Sequence, residues 1–216
     1  SIGRIEGVSV IGSIYGQYQN NGWYVRGMLG GGSTSLDITR NIQIGPLLRQ
    51  EIGKPGVSQQ AVSAEVGYMF EGDSLQHGPF ANFGWQKLSV EAYNEEGVSS
   101  TAMNFSEFER KSQLTSLGYQ IQGSIGSEGN TFQPFARVAW VSEDENGQTY
   151  VNAGSNSMNG RFTLGGVTPS KEWIDASIGV SAEFGDDLSA FVSLNGHVSD
   201  DEQEGGDFSL GVRKTF

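Results

Sequence analysis

The chain has 216 residues, a formal net charge of -12, no cysteine and 32 glycines. The missing thiols exclude disulfides, thiolate metal sites and cysteine nucleophiles, and the acidic balance argues against nucleic acid, whose phosphates call for basic patches. With 36% hydrophobic residues and a mean hydropathy of -0.34, no run approaches the roughly 18 apolar residues of a membrane-spanning helix. A transmembrane β-barrel escapes that test, because it needs apolar side chains only at alternate positions of segments about 10 residues long.

Residues Ser1–Gly7 carry no turn or cap, and no secretory or lipidation signal precedes them. The expectation is a mature fragment from which an upstream piece has been removed. Alternation of apolar and polar side chains then marks strands at about 8–18 (Val8, Val10, Ile14, Tyr18), 22–32 (Trp23, Val25, Leu29) and 60–70 (Val62, Ala64, Val66, Tyr68, Phe70). In 79–91 the outward row Ala81, Phe83, Trp85 slips phase to Leu88 and Val90, which predicts a bulge near Gln86–Lys87. Segment 113–125 (Leu117, Tyr119, Ile121, Ile125) follows, then 131–141, with Phe132, Ala136, Val138 and Trp140 outward and Arg137 inward.

The clearest pattern runs from Ile174 to Phe184, where Ile174, Ala176, Ile178, Val180, Ala182 and Phe184 alternate with Asp175, Ser177, Gly179, Ser181 and Glu183. A tight turn at Gly185–Asp187 leads into a second alternating run, Leu188 to Val198, so the two form a hairpin. The last nine residues repeat the pattern, with Phe208, Leu210, Val212 and Phe216 on one side and Ser209, Gly211, Arg213 and Thr215 on the other. Lys214 interrupts the apolar row close to the end, where its stem can lie along lipid and its ammonium reach the interface.

This makes about nine strands. Nine is odd, whereas single-chain bacterial barrels have even counts from 8 upward; either a strand is unread or the chain is incomplete. Strand glycines such as Gly12, Gly16, Gly27, Gly67, Gly84, Gly118, Gly179 and Gly211 cost entropy, and suit a sheet that bends or leaves room in a lumen. The connections alternate between short (Gln19–Gly22, Glu71–Gly78, Gly126–Asn130, Gly185–Asp187) and long (33–58, 92–112, 142–173, 199–207). Short turns are expected on the periplasmic rim of an outer-membrane barrel and long loops outside, which puts the C-terminus on the periplasmic side.

The inward row is expected to carry Arg26, Glu65, Gln86, Gln120, Gln122, Arg137, Asp175, Glu183, His197 and Arg213. Structural pairing in a hydrated lumen is the plain reading; contact with a translocating or plugging segment is the functional one. The acidic groups Glu143–Glu145 and Asp200–Asp207 read as solvated loop charge, with a divalent-cation bridge to lipopolysaccharide phosphates as the sharper alternative. Trp23, Tyr68, Tyr93, Trp140 and Trp173 read as interfacial girdle residues.

Gly72-Asp73-Ser74-Leu75 spells the signature of the GDSL hydrolases. Four letters in a short turn, without an Asp-x-x-His arrangement downstream, do not make a nucleophile with its base. Two histidines 120 positions apart make no zinc motif, Gly30-Gly31-Gly32 opens no helix and so cradles no phosphate, and no cofactor is expected.

Asn41-Ile-Gln-Ile-Gly-Pro46, Leu75-Gln-His-Gly-Pro79 leading to Trp85, Ser100–Arg110, Trp173–Val180 and the terminal Phe216 resemble, in order and spacing, the C-terminal translocator domains of autotransporters, above all those of the GDSL-type esterase autotransporters. The resemblance covers nearly the whole chain, 1–216, as one domain. It implies an all-β antiparallel barrel of roughly 12 strands, with a helix in the lumen, that secretes and anchors an upstream passenger at the cell surface. About nine of those strands would be present here, and the opening strands, the lumenal helix and the esterase with its true catalytic serine would lie upstream. It further implies that Phe208, Leu210, Gly211, Val212 and Phe216 form the assembly signal, although Lys214 departs from the aromatic or aliphatic residue usual two places before the end.

The partners implied are outer-membrane lipid and lipopolysaccharide, the protein's own passenger or upstream strands, and the barrel assembly machinery, which could pair with the last strand by β-augmentation. Three other readings stand beside this one. An independent porin or receptor would conduct by itself, a soluble β-barrel binding module would reverse the polarity of the two faces, and an esterase would rest on Ser74 alone.

Overall fold

A computed structural model describes residues 3–97, 100–127, 129–145, 147–185, 187–199 and 204–215. Strand β1 (Gly3–Asn20) turns into β2 (Trp23–Ile44) through Asn21 and Gly22, whose φ values of 48° and 80° are those a two-residue primed turn requires. There follow β3 (Leu47–Gly53), β4 (Gly56–Tyr68), β5 (Phe70–Glu71), β6 (Leu75–Val90), β7 (Tyr93–Asn94), β8 (Met103–Phe105), β9 (Phe108–Gly123) and β10 (Ile125–Ser127). The last six are β11 (Asn130–Glu143), β12 (Tyr150–Ser155), β13 (Arg161–Gly165), β14 (Glu172–Phe184), β15 (Leu188–Ser199) and β16 (Gly205–Lys214).

Nine long strands form the main sheet in the order β1-β2-β4-β6-β9-β11-β14-β15-β16, with β3, β5 and β10 extending its hairpins. Every pairing is antiparallel between neighbours in sequence, the meander that the nine alternating segments predict. Among the described residues, β1 and β16 are the two edges and do not pair with each other. The sheet is nevertheless curled. Arg137 on β11 reaches Glu65 on β4, and Gln120 on β9 reaches Tyr24 on β2, each across two intervening strands; only a concave face brings such residues together, given about 4.8 Å between neighbouring strands.

Register assigns each side chain to a face. Opposite residues such as Trp23/Tyr68, Val25/Val66 and Leu29/Val62 lie on the convex face, together with Ala81, Phe83 and Trp85 of β6 and Leu117 and Tyr119 of β9. Ile14, Leu29, Ile178, Leu194 and Leu210 are all more than half exposed there, a continuous apolar surface far larger than a water-soluble monomer presents. The soluble-module alternative needs the reverse polarity. The buried cluster, by contrast, is small and concave: Tyr24, Met69, Phe80, Ala139 and Val141, flanked by Leu114 and Trp173.

Four readings change. No bulge interrupts β6, whose ladder to β4 and to β9 is unbroken through Gln86 and Lys87. The apolar phase changes there because the strand leaves the apolar band: above Trp85 the convex row becomes Lys87 and Ser89, next to Glu109 and Lys111, while Leu88 and Val90 turn to the concave side. Residues 33–58 are no open loop, since β2 runs on to Ile44 and pairs with β3 and β4. Of the girdle candidates, Trp173 lies on the concave face with its Nε1 donating to Asp175 (2.9 Å), and Tyr93 stacks on Phe105 in a second sheet, with ring centroids 4.8 Å apart. Glu143 is no solvated loop charge: it is buried and accepts bonds from Ser112 Oγ and the Gln113 and Glu145 amides.

The second sheet, β13-β12-β8-β7, gathers the connections that follow β6 and β11. Arg40, far along β2, fastens it: its guanidinium donates to both carboxylate oxygens of buried Glu95 and to the Thr101 carbonyl. Glu95 also accepts the Met103 amide and, through its carbonyl, the Asn156 side chain. The hydrogen bond to Glu95 raises the Arg40 guanidinium above its usual value.

Candidate functional site

The concave face is built by a single repeated device. Tyr24 of β2 lies over Gly67 of β4, Phe80 of β6 over Gly118 of β9, Phe135 of β11 over Gly179 of β14, and Phe191 of β15 over Gly211 of β16. A Cβ on any of these glycines would fall between 2.2 and 2.6 Å from the facing ring. The glycine loses entropy in a strand; the cross-strand ring regains packing and covers the exposed backbone.

On this floor Arg26, Glu65, Gln120 and Arg137 come together. Glu65, 8% exposed, receives both terminal nitrogens of Arg137 (2.5 and 3.4 Å), the Tyr24 hydroxyl (3.0 Å) and Arg26 Nη1 at 3.5 Å. Gln120 donates to the Tyr24 oxygen (2.5 Å) and to Met69 Sδ (3.3 Å). The Arg137 guanidinium lies 3.5 Å from the Phe80 ring centroid and that of Arg26 4.6 Å from the Tyr24 centroid, so each cation has an aromatic as well as an anionic partner. Two guanidiniums around one carboxylate leave the cluster with one excess positive charge. Its strong acceptors are filled, and it can brace the curled sheet or offer that excess charge to an anion.

Tyr24, Met69 and Phe80 were not legible as members. Their signal is parity: Tyr24 stands two residues before Arg26, and Phe80 opposite a strand glycine. The other inward residues lie elsewhere. Asp175 sits beside Trp173 and opposite His197 on β15. Glu183 and Arg213 line a separate cavity of about 420 Å³ with Ser189 at the short-turn rim. Phe208, Leu210 and Val212 form the exposed convex row of β16, Gly211 lies under Phe191, and Phe216 is outside the described residues.

Ser74 lines a concave-side cavity with Gln76, Gln122 and Gln133. His77, by parity with Pro79 and Ala81, is on the convex face, its Nδ1 hydrogen-bonded to the Tyr119 hydroxyl (2.5 Å). The hydrolase-like tetrapeptide and the nearest histidine in sequence thus occupy opposite faces of the sheet. Among the described residues no group of three His, Asp or Glu side chains could hold a metal ion.

The convex face bears an aromatic row near the short turns: Trp23, Tyr68, Phe70, His77 and Tyr119 follow one another at ring separations of 4.9 to 5.8 Å. Phe132 and Phe184 continue it at 5.9 Å. Beyond the apolar band on the other side lie Lys87, Glu109 and Lys111. An apolar belt bounded by an aromatic girdle, around a polar and charge-paired interior, is the surface of a transmembrane β-barrel.

Those features define the class: a barrel-forming sheet of the outer-membrane type. The chain belongs to the autotransporter β-domain family, whose model matches residues 1–195; autotransporter β-domains are outer-membrane barrels. The translocator domain of the autotransporter NalP from Neisseria meningitidis matches with a TM-score of 0.67 at 16% identity, over 99% of this chain and 67% of that one. The β domain of the Bordetella autotransporter BrkA gives 0.61 and 19%, over 99% and 75%. In sequence the chain is 31% identical over 201 residues to "Esterase EstA" of Pseudomonas aeruginosa, covering 91% of this chain and 31% of that protein. It is 27% identical over 217 residues to "Lipase 1" of Photorhabdus luminescens, covering 98% and 33%. The chain therefore spans about a third of the length of these relatives.

Proposed function

We propose that this chain is the membrane half of an autotransporter that carries a passenger of the esterase or lipase class through the outer membrane and holds it at the cell surface. The observation that carries the reading is the division of the sheet into a lipid-compatible convex face and a charge-paired concave face, within a chain of the autotransporter β-domain family. The names of the relatives supply the passenger class, and a GDSL-type serine would belong to that passenger, not to Ser74.

In this reading the concave face lines the lumen and the short turns, with their aromatic row, face the periplasm. The second sheet and the Arg40–Glu95 clamp then stand outside, the C-terminus is periplasmic, and lipopolysaccharide surrounds the outer rim. The free edges of β1 and β16 cannot rest in hydrocarbon, where unpaired backbone groups have no water to bond. Further strands, supplied by the same polypeptide upstream, would close the sheet. During assembly the edge of β16, with Phe208, Leu210, Val212 and Phe216, offers the barrel assembly machinery a strand to pair.

The test is protease shaving of intact cells producing the full-length protein with an epitope on the passenger. Loss of the epitope from intact cells, with a membrane-protected barrel left behind, is expected. An epitope that stays protected until the cells are lysed would overturn the reading, and ion conductance by the purified chain alone would favour an independent porin instead.

A further inference from the structure

The carboxylates of the concave face are not treated alike. Glu65 is filled by two guanidiniums and a phenol, and Glu183 is open to solvent at the short-turn rim. Asp175 is partly buried, yet among the described residues it forms no ion pair with lysine or arginine and accepts a hydrogen bond from Trp173 Nε1 at 2.9 Å. Its cross-strand neighbours are Ala139 on β11, which brings only a methyl group, and His197 on β15. The guanidinium of Arg137, opposite Ser177 two residues along β14, is already committed to Glu65.

Beside Asp175 lies a cavity of about 340 Å³ lined by Pro169, Ser170, Trp173, Asp175, His197 and Ser199. Ser170 donates to Ser199 across its wall at 3.1 Å. Withdrawing a carboxylate from water without a matching cation is costly. An indole and a proline beside it offer an apolar wall and an aromatic partner for a positive charge. An anion would meet Asp175 as a like charge, and a purely apolar guest would leave it unpaired.

We propose that this cavity binds a cationic group on an apolar stem, an alkylguanidinium or alkylammonium. Two sources share that chemistry: an arginine or lysine side chain of the protein's own polypeptide within the lumen, or a free alkyl cation. The first source rests on the translocator reading above; the site itself does not.

The experiment uses the full-length protein folded in detergent, with heat-modifiable migration to verify folding of each variant. n-Butylguanidinium is titrated calorimetrically into the unsubstituted protein, Asp175→Asn and Asp175→Glu, with n-butylurea as the uncharged mimic. In parallel, Asp175→Cys is combined, in a cysteine-free background, with cysteine at each arginine or lysine of the upstream segment. Saturable binding of the guanidinium but not the urea, weakened about tenfold in Asp175→Asn and kept in Asp175→Glu, supports a site open to free cations. No such binding, but a disulfide from Asp175→Cys to one upstream cationic position and not to its uncharged neighbours, supports occupation by the protein's own chain. Neither signal overturns the inference. Passenger shaving on the same cells separates the two claims: normal display with neither signal sinks the cation site alone, and absent display in the unsubstituted protein sinks the translocator reading.

Discussion

Arg137 on β11 and Glu65 on β4 are separated by two strands of the sheet, yet Nη2 and Oε2 meet at 2.5 Å. The contact is a chord across the curl. It joins strands whose backbones do not touch, and therefore stabilises curvature itself rather than any one strand pair. Replacing Glu65 with Ala leaves Arg137 and Arg26 near one another without an anion; both guanidiniums keep contact with solvent (31% and 47% exposed), so the lost charge-assisted bonds cost about 1–3 kcal/mol. Urea unfolding of the barrel followed by heat-modifiable migration should show a loss of that size. The Glu65→Met, Arg137→Met double variant should recover much of it, because no uncompensated charge remains between those two positions; equal losses for single and double variants would mean that the chord does not act as a pair.

Gly211 lies in the proposed assembly signal, but the structure gives it a local task. An added Cβ would stand 2.2 Å from Phe191 Cε1 and 2.8 Å from Cζ, both on one side chain. Gly211→Ala should therefore cost about 1–3 kcal/mol by overpacking and slow assembly in cells. Phe191→Leu in the same chain should restore assembly. Failure of that rescue, with each chain stable once folded, would mean that the glycine is read by a partner.

The apolar band has an edge that single charges can locate. Arginine at Ile178, 60% exposed in mid-row, should cost about 2–4 kcal/mol in a lipid bilayer, as expected for a cation near the membrane midplane. Lys87→Leu, beyond the band, should change stability by less than about 1 kcal/mol. The check is reversible folding of each variant into lipid vesicles; equal effects at both positions would erase the band.

Glu109 is held below the usual carboxylate value of 4.5 chiefly by the hydrogen bond from Lys87; burial opposes it, and Lys111 adds to the lowering. A depressed folded-state value means that the stabilisation is complete above pH 4.5 and fades as the pH falls through the lower, folded value. Proteolysis at the Val90 end of β6 and the Phe108 end of β9 should accordingly rise as the pH is taken below 4.5, more so at low ionic strength, where the pair is least screened beforehand. Lys87→Met should flatten that acid limb. An unchanged limb in Lys87→Met would assign it to other carboxylates.

Period-two patterning carried far where one face meets lipid and the other water. The segment 174–184 lies within the observed Glu172–Phe184, and 188–198 within Leu188–Ser199. The pattern failed where both faces meet water. There the convex row turns to Lys87 and Ser89, β2 continues past Gly32 as Ser33–Ile44, and the small strands β7, β8, β12 and β13 have no lipid to enforce alternation. Charged members of the concave cluster, Arg26, Glu65 and Arg137, were legible because a charge stands out in an alternating strand. Tyr24 and Phe80 were not, since an apolar side chain on the inner row looks like noise until its facing glycine is known, and Met69 lies between β4 and β5, outside any ladder. Chord contacts such as Gln120 to Tyr24 depend on the curl, which no local pattern encodes.

The most direct measurement of the central claim is an accessibility scan along residues 174–184 of the full-length protein in cells, one cysteine at a time; these 216 residues contain no cysteine of their own. Each site is challenged with a membrane-restricted maleimide and with a small water-soluble one. If the convex face meets lipid and the concave face a hydrated lumen, positions 174, 176, 178, 180, 182 and 184 react with the first reagent and 175, 177, 179, 181 and 183 with the second. Uniform labelling by the aqueous reagent, or alternation in the opposite phase, would contradict a membrane-embedded translocator barrel.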